Sequence, residues 1–209
     1  MKRSLLLFLV VFVGWTIYRY FANYSEFVDE LLFKPMLYLL PTLLFIKIVD
    51  QKKFTSLGFQ KNGNLCSIAW GIGLGLFLIA YNTFIQSLKS GLDLHFLISL
   101  LSISSLPLLL MSFATAISEE VLFRGYIFRH LLNDRVNVFA SIAVSSFLFA
   151  LMHLPRLLWS LNYSFNLIVM EMVLYLLLGV ANCCVFLKTK NLTSSVAAHT
   201  LWNFVYALK

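Results

Sequence analysis

The sequence predicts an all-α fold, a single polytopic membrane domain over residues 1–209 with about six to eight transmembrane helices. Hydrophobic residues make up 60% of the 209 positions and charged residues only 12%, which excludes an ordinary soluble domain. Several apolar runs approach the ~20 residues that a helix needs to cross a bilayer. Short polar connections separate these runs, and the chain contains no evident repeat or low-complexity segment.

The first helix is expected to remain as a membrane span. Lys2 and Arg3 precede an apolar run, as in a signal sequence, but the run from Ser4 to Phe21 is too long and lacks a small-residue cleavage pattern. Pro107 is expected to separate an entry segment that begins near residue 94 from the helix that carries Glu119, and whether 94–106 crosses the membrane stays open. The other helices are expected at about 31–49, 65–87, 138–153, 166–187 and 192–208.

The third helix contains a cluster of glycines, Gly71, Gly73 and Gly75. A glycine cluster is also typical of phosphate-binding loops, but such a loop follows a β-strand, and no strand is predicted here. Gly71 and Gly75 have the GxxxG spacing that lets two membrane helices approach closely. We therefore expect this pair to lie at a helix–helix contact.

The basic residues predict the orientation of the chain. The net charge of +7 does not indicate nucleic-acid binding, because no basic strip is interleaved with aromatic residues. Basic connections face the cytoplasm in membrane proteins, so we expect a cell-membrane protein with a cytoplasmic amino terminus. An acidic connection holding Glu26, Asp29 and Glu30 would then face outward. The cytoplasmic positions would be Lys2, Arg3, the segment 47–61, Arg129, Arg135, Lys188 and Lys190.

The central motif places two carboxylates and an arginine inside an apolar helix. Glu120 and Arg124 are four residues apart and can meet on one helix face, whereas Glu119 is rotated by roughly 100°. We interpret Glu120 and Arg124 as an orienting ion pair and Glu119 as the free carboxylate. Charged groups inside a membrane are typical of functional sites, although a buried ion pair that only fixes helix packing remains an alternative.

Two further polar pairs lie on later helices at helical spacing. Phe149 and His153 are four residues apart, as are His199 and Asn203. Alone, each polar side chain could be a simple hydrogen-bonding group between helices. Together with Glu119 they would lie on the order of 12–25 Å into a ~30 Å apolar core. They could share a cavity that activates water and stabilises an oxyanion. We expect this cavity to open toward lipid or toward the cytoplasm.

The remaining ionisable side chains of the helices are given smaller roles. His95 and His130 lie near predicted helix ends and are expected at the surface or the membrane interface. Glu171 is an isolated carboxylate that could support the site, a point on which the sequence does not decide.

The three motifs, in this order, resemble the family of CAAX prenyl proteases and bacteriocin-processing or immunity proteins, called CPBP or Abi. The local sequence Phe123-Arg124-Gly125-Tyr126 adds to the resemblance, which covers roughly 112–206 and places a catalytic core at about 106–207. The first hundred residues match only as unspecific membrane helices. The resemblance implies an all-helical intramembrane endopeptidase. It implies water activation by Glu119 and His153, an oxyanion site of His199 and Asn203, and a motif held by Glu120 and Arg124.

The family resemblance leaves the substrate and the metal open. The substrate would be a membrane-associated protein or peptide, either a CAAX-type prenylated protein or a bacteriocin-like or pheromone-like peptide. The alternatives to an enzyme are an immunity factor that acts by binding and a proton-coupled transporter. Glu119, His153 and His199 could hold zinc. We favour metal-free activation of water, because HExxH is missing and the Asn203 amide is a poor zinc ligand. The oligomeric state is not predicted.

Overall fold

The computed structural model describes residues 2–22, 24–60, 63–90 and 102–208. Within these ranges the chain is almost entirely helical and contains no β-strand, which confirms the all-α prediction. Our expectations for His95 and for residues 94–101 concern positions outside these ranges.

Seven long helices follow one another in the described residues. Six of them are long and apolar enough to cross a membrane, and the last has 16 residues. Short 3-10 turns lie in two of the connections, at Phe54–Leu57 and Ile103–Ser105. The helices are α1 Lys2–Phe21, α2 Glu26–Val49, α3 Asn64–Ser90, α4 Leu106–Asn133, α5 Val138–Ser160, α6 Phe165–Thr189 and α7 Leu192–Ala207.

Helix α2 corrects one of the predictions. It begins at Glu26 rather than near Leu31, so the acidic segment belongs to a helix and not to a connection that faces outward. Asp29 and Glu30 are only 2% and 3% exposed. Arg19 contacts Asp29, and Lys34 contacts Glu30. These cations neutralise the carboxylates and allow them to be buried.

Helix α5 is also longer than predicted. It was expected to end at Leu154-Pro155, but it continues to Ser160. Arg156–Ser160 form wider, π-type turns directly after Pro155. The extension places Arg156 beside Glu26 at the start of α2, with which it forms an ion pair.

Helix α7 packs against α3, α4 and α6 and lies at the centre of the bundle. Gly71 and Gly75 make its contact with α3 possible. A Cβ atom at Gly71 would lie 2.2 Å from the carbonyl oxygen of Ser194, and one at Gly75 would lie 2.7 Å from Leu201 Cδ1. This confirms the predicted close helix packing. Gly73 points away, and a Cβ there would meet nothing within 4 Å among the described residues.

The two ends of the bundle differ in their connections. At the end that carries the basic residues, Asn191 Nδ2 donates to Asn64 Oδ1 at 2.7 Å, so the starts of α3 and α7 lie together. Helix α3 then runs to the opposite end, where α4 begins at Leu106 after a separate connection. The end of α3 and the start of α4 therefore lie at the same end of the bundle.

The glycine contact generates a stability prediction. Gly71→Ala should lower the melting temperature of the purified protein in detergent, since overpacking of this kind costs about 1–3 kcal/mol. Gly73→Ala is the matched control on the same helix and should leave the melting temperature unchanged or slightly raised. Equal effects of the two substitutions would show that the α3–α7 contact is not as close as described.

Candidate active site

The charged motif lies in the most buried part of α4. Glu119 is 1% exposed, and Glu120 and Arg124 are fully buried. Directly after Glu120 the helix changes to wider π-type turns over Val121–Phe128. Such turns often mark functional sites in helices. Wider turns change the rotation from one side chain to the next around the helix axis. Glu120 and Arg124 nevertheless remain in contact.

Glu120 is held by three hydrogen-bond partners on three helices. Its Oε1 atom accepts from Arg124 Nη1 at 2.8 Å and from Asn182 Nδ2 at 3.1 Å, and it lies 2.8 Å from His199 Nδ1. Arg124 Nη2 also donates to the carbonyl oxygen of Gly179 at 2.8 Å. The predicted Glu120–Arg124 ion pair is thus present, and it links α4 to α6 and α7.

Glu119 has a cationic partner that the sequence interpretation missed. Lys34 Nζ, on α2, lies 2.9 Å from Glu119 Oε1. The prediction that the Glu119 carboxylate has no charged partner is therefore wrong. The second oxygen, Oε2, lies 3.7 Å from His153 Nε2 and 3.6 Å from His199 Nε2. Glu119 therefore uses one oxygen for an ion pair and directs the other toward two imidazole rings.

Lys34 belongs to a chain of charges contributed by the amino-terminal helices. It also contacts Glu30, one helical turn earlier, and Glu30 Oε2 accepts a hydrogen bond from Thr115 on α4 at 2.6 Å. Arg156 Nη1 approaches Glu30 Oε1 at 3.9 Å. The spacing of Glu30 and Lys34 is a signal that could have revealed this group. It was overlooked because Glu30 was assigned to a connection.

Aromatic rings fix the two histidines and the arginine. Phe149 packs edge-to-face on His153 and His199, with ring centroids 4.9 and 5.5 Å away. Arg124 Cζ lies 4.6 Å from the Phe149 centroid, a cation–π geometry. Tyr175 stacks on His153 at 3.8 Å. The Phe149 side chain thus separates the guanidinium from His153 and limits how each ring can turn.

A cavity of about 300 Å³ reaches the motif from one end of the bundle. Glu119, His153 and Asn203 line it, together with Lys34 and Arg156. Glu120, Arg124 and His199 are not part of the lining: His199 contacts Glu119 from behind, and Glu120 contacts both His199 and Arg124. The structure therefore brings all six predicted site residues together in two layers, one that faces the cavity and one that supports it.

Two of the remaining predictions concern isolated polar side chains. Glu171 is 7% exposed, and its Oε1 accepts a hydrogen bond from the hydroxyl of Tyr206 at 2.8 Å. Tyr206 lines the cavity, whereas Glu171 does not. His130 is near the end of α4 and lies 3.0 Å from Asp50 at the basic end of the bundle, as an interfacial histidine would.

Glu119, His153 and His199 are the side chains that would hold a metal. Ligand atoms of tetrahedral zinc with bonds of about 2.0–2.1 Å are about 3.3–3.4 Å apart, somewhat closer than the separations of 3.6 and 3.7 Å found here. Among the described residues, no three His, Cys, Asp or Glu side chains are positioned as metal ligands. The donor types suit zinc, while the positive charge next to Glu119 comes from Lys34.

Comparison with protein-family models matches residues 102–205 to the family described as type II CAAX prenyl endopeptidase, Rce1-like. The matched segment runs from just before α4 almost to the end of α7 and includes all six predicted site residues. Lys34 and Glu30 lie outside it. No curated protein and no solved structure matches the chain.

The two adjacent glutamates should differ in their effect on stability. Glu120→Gln leaves the Arg124 charge without its carboxylate, and loss of one partner of a buried pair typically costs about 3–5 kcal/mol. Glu119→Gln should be milder, because Lys34 keeps its contact with Glu30. Thermal unfolding of the two purified variants in detergent measures the difference. Equal melting temperatures would contradict the assignment of Glu120 as the structural member.

Proposed function

Since the chain belongs, through residues 102–205, to the Rce1-like family of type II CAAX prenyl endopeptidases, we propose that it hydrolyses a peptide bond of a membrane-associated protein or peptide. The single observation that carries this proposal is the position of Glu119 Oε2. This oxygen faces His153, which lines the cavity beside Glu119, and His199, which lies directly behind the lining. The other oxygen is neutralised by Lys34.

We assign Glu119 and His153 to the activation of water. Their separation of 3.7 Å is too long for a direct hydrogen bond and suits two polar groups that share one water molecule. His153 Nε2 has no hydrogen-bond partner among the described residues, so it is free to accept or donate there. The carboxylate would take the proton of the attacking water, as a general base must.

We assign His199 and Asn203 to the oxyanion of the tetrahedral intermediate. Asn203 lines the cavity one helical turn beyond His199, and its amide can donate a hydrogen bond. His199 Nδ1 faces Glu120 at 2.8 Å, so its Nε2 can donate to an oxyanion only when both ring nitrogens carry protons. Glu120 therefore orients the His199 ring besides pairing with Arg124.

We also propose that the protein resides in the cell membrane with its amino terminus in the cytoplasm. The connections and the adjoining helix ends at one end of the bundle carry most of the lysine and arginine residues, whereas the connections 22–25 and 161–164 at the other end carry none. Such an asymmetry is what the positive-inside rule describes.

A metal would be held by Glu119, His153 and His199, and when bound it would act as a Lewis acid on water or on the substrate carbonyl. We propose that hydrolysis needs no such metal, because Lys34 already supplies a positive charge at Glu119. His153 and His199 then serve as hydrogen-bonding groups.

Removal of the proposed base should abolish cleavage. Glu119→Gln keeps the size of the side chain but cannot accept a proton from water, so peptide hydrolysis by the purified protein should fall to the background. Asp50→Asn is the control, because it changes a carboxylate at the basic end of the bundle that does not line the cavity. Hydrolysis that survives Glu119→Gln would refute Glu119 as the base. A biological effect in cells that survives Glu119→Gln would instead favour a non-enzymatic role such as immunity by binding.

Metal dependence can be tested on the same preparation. We expect cleavage to persist after treatment with a chelator, and the purified protein to contain no stoichiometric zinc by elemental analysis. If zinc is present in a one-to-one ratio, and chelation stops cleavage that added zinc restores, the metal-free mechanism is wrong.

A further inference from the structure

We propose that the cavity opens on the extracytoplasmic face, so that the substrate is a peptide segment presented at the outer surface of the membrane. This inference rests on the proposed function and orientation. It contradicts one part of our expectation, namely that the cavity would open toward the cytoplasm. It also narrows the substrate class, since a lipid-modified protein that stays in the cytoplasm would approach the wrong face.

The position of the cavity along the helices supports this inference. Its lining includes Glu26 at the start of α2, Leu161 and Tyr163 in the connection after α5, and Ala207 at the end of α7. All of these lie at the end of the bundle opposite to the basic connections. His153 is seven residues from Ser160, so the cavity floor lies on the order of 10 Å below this end at a rise of ~1.5 Å per residue.

The opposite route, from the basic end to Glu119, is filled by side chains. Every residue from Val121 to Phe128 is buried. The rings of Phe123, Phe128 and Phe149 are all 0% exposed, and Phe123 packs edge-to-face on Phe149 at 5.2 Å. The Glu120–Arg124 pair lies within this packed layer. A peptide that approached from the basic end would have to displace the core of the bundle.

The charges at the two ends of the bundle indicate which end faces the cytoplasm. Basic side chains at the closed end belong to several separate connections, whereas the connections 22–25 and 161–164 at the open end contain no lysine or arginine. Two arginines near the open end pair with carboxylates: Arg156 contacts Glu26 and Glu30, and Arg19 contacts Asp29. Lys89 lies close to the end of α3, but the open end still carries fewer basic residues than the closed end, as expected of an outward-facing end. The basic positions at the closed end are Lys2, Arg3, Lys52, Lys53, Arg129, Arg135, Lys188 and Lys190.

The cavity wall indicates how an outer-surface substrate would be bound. Tyr163, Trp202 and Tyr206 line it toward the open end, and Tyr175 lies deeper, against His153. Tyrosine and tryptophan prefer the membrane–water interface, where one edge of the ring is apolar and the other is hydrated. Such a wall suits a peptide that lies in the outer interface with its backbone directed toward Glu119. The substrate class is thus an exported peptide, or the extracytoplasmic segment of a membrane protein close to the bilayer.

Thiol labelling of intact cells tests the inference. Single cysteines are introduced by Tyr163→Cys and Ala207→Cys at the cavity mouth, and by Lys53→Cys at the closed end as the control. The background replaces the three native free cysteines, Cys66, Cys183 and Cys184, by alanine. A membrane-impermeant maleimide should label the two mouth positions equally before and after the cells are permeabilised. It should label Lys53→Cys only after permeabilisation.

Each outcome of the labelling either supports or refutes the proposed face. Labelling of Lys53→Cys in intact cells overturns the inference, as does labelling of the mouth positions only after permeabilisation. The readout does not depend on catalysis. Cleavage by detergent-solubilised protein, in which both faces are accessible, tests the proposed function separately. Absence of cleavage together with the expected labelling would refute the enzyme and leave the orientation of the cavity intact.

Discussion

The ion pair between Lys34 and Glu119 is the interaction on which the rest of the site depends. A single carboxylate in the apolar interior of a membrane protein is very unfavourable, and it persists as an anion only with a compensating charge. Lys34 provides this charge to one oxygen of Glu119. The other oxygen stays available at the cavity floor, directed toward His153 and His199.

The same constraint explains why the amino-terminal helices belong to the site. Lys34 would itself be an isolated cation, and Glu30 contacts it from the preceding turn. Glu30 is in turn approached by Arg19 at 4.0 Å and Arg156 at 3.9 Å. The result is a network in which every buried charge has an opposite neighbour, and it connects α1 and α2 to α4 and α5. The family match covers α4 and α5 but not α1 and α2.

Features that depend on spacing within one helix could be predicted from the sequence. The Glu120–Arg124 pair and the close contact at Gly71 are of this kind. The Lys34–Glu119 pair joins residues that are far apart in the chain, and no local pattern indicates it. The start of α2 was placed too late for a related reason: Asp29 and Glu30 resemble a polar connection until their partners on other helices are known. The side of the membrane to which the cavity opens depends on the packing of aromatic rings around Phe149, which sequence periodicity does not reveal.

The central claim is that Lys34 stabilises the Glu119 carboxylate directly, and a double-mutant cycle tests it most directly. The free energy of unfolding is measured for the wild type, Lys34→Met, Glu119→Gln and the double variant in the same detergent. Groups in direct contact show coupling energies of about 0.5–3 kcal/mol. We expect a coupling in this range, with Lys34→Met less destabilising when Glu119 is already neutral. Strictly additive effects of the two substitutions would contradict it.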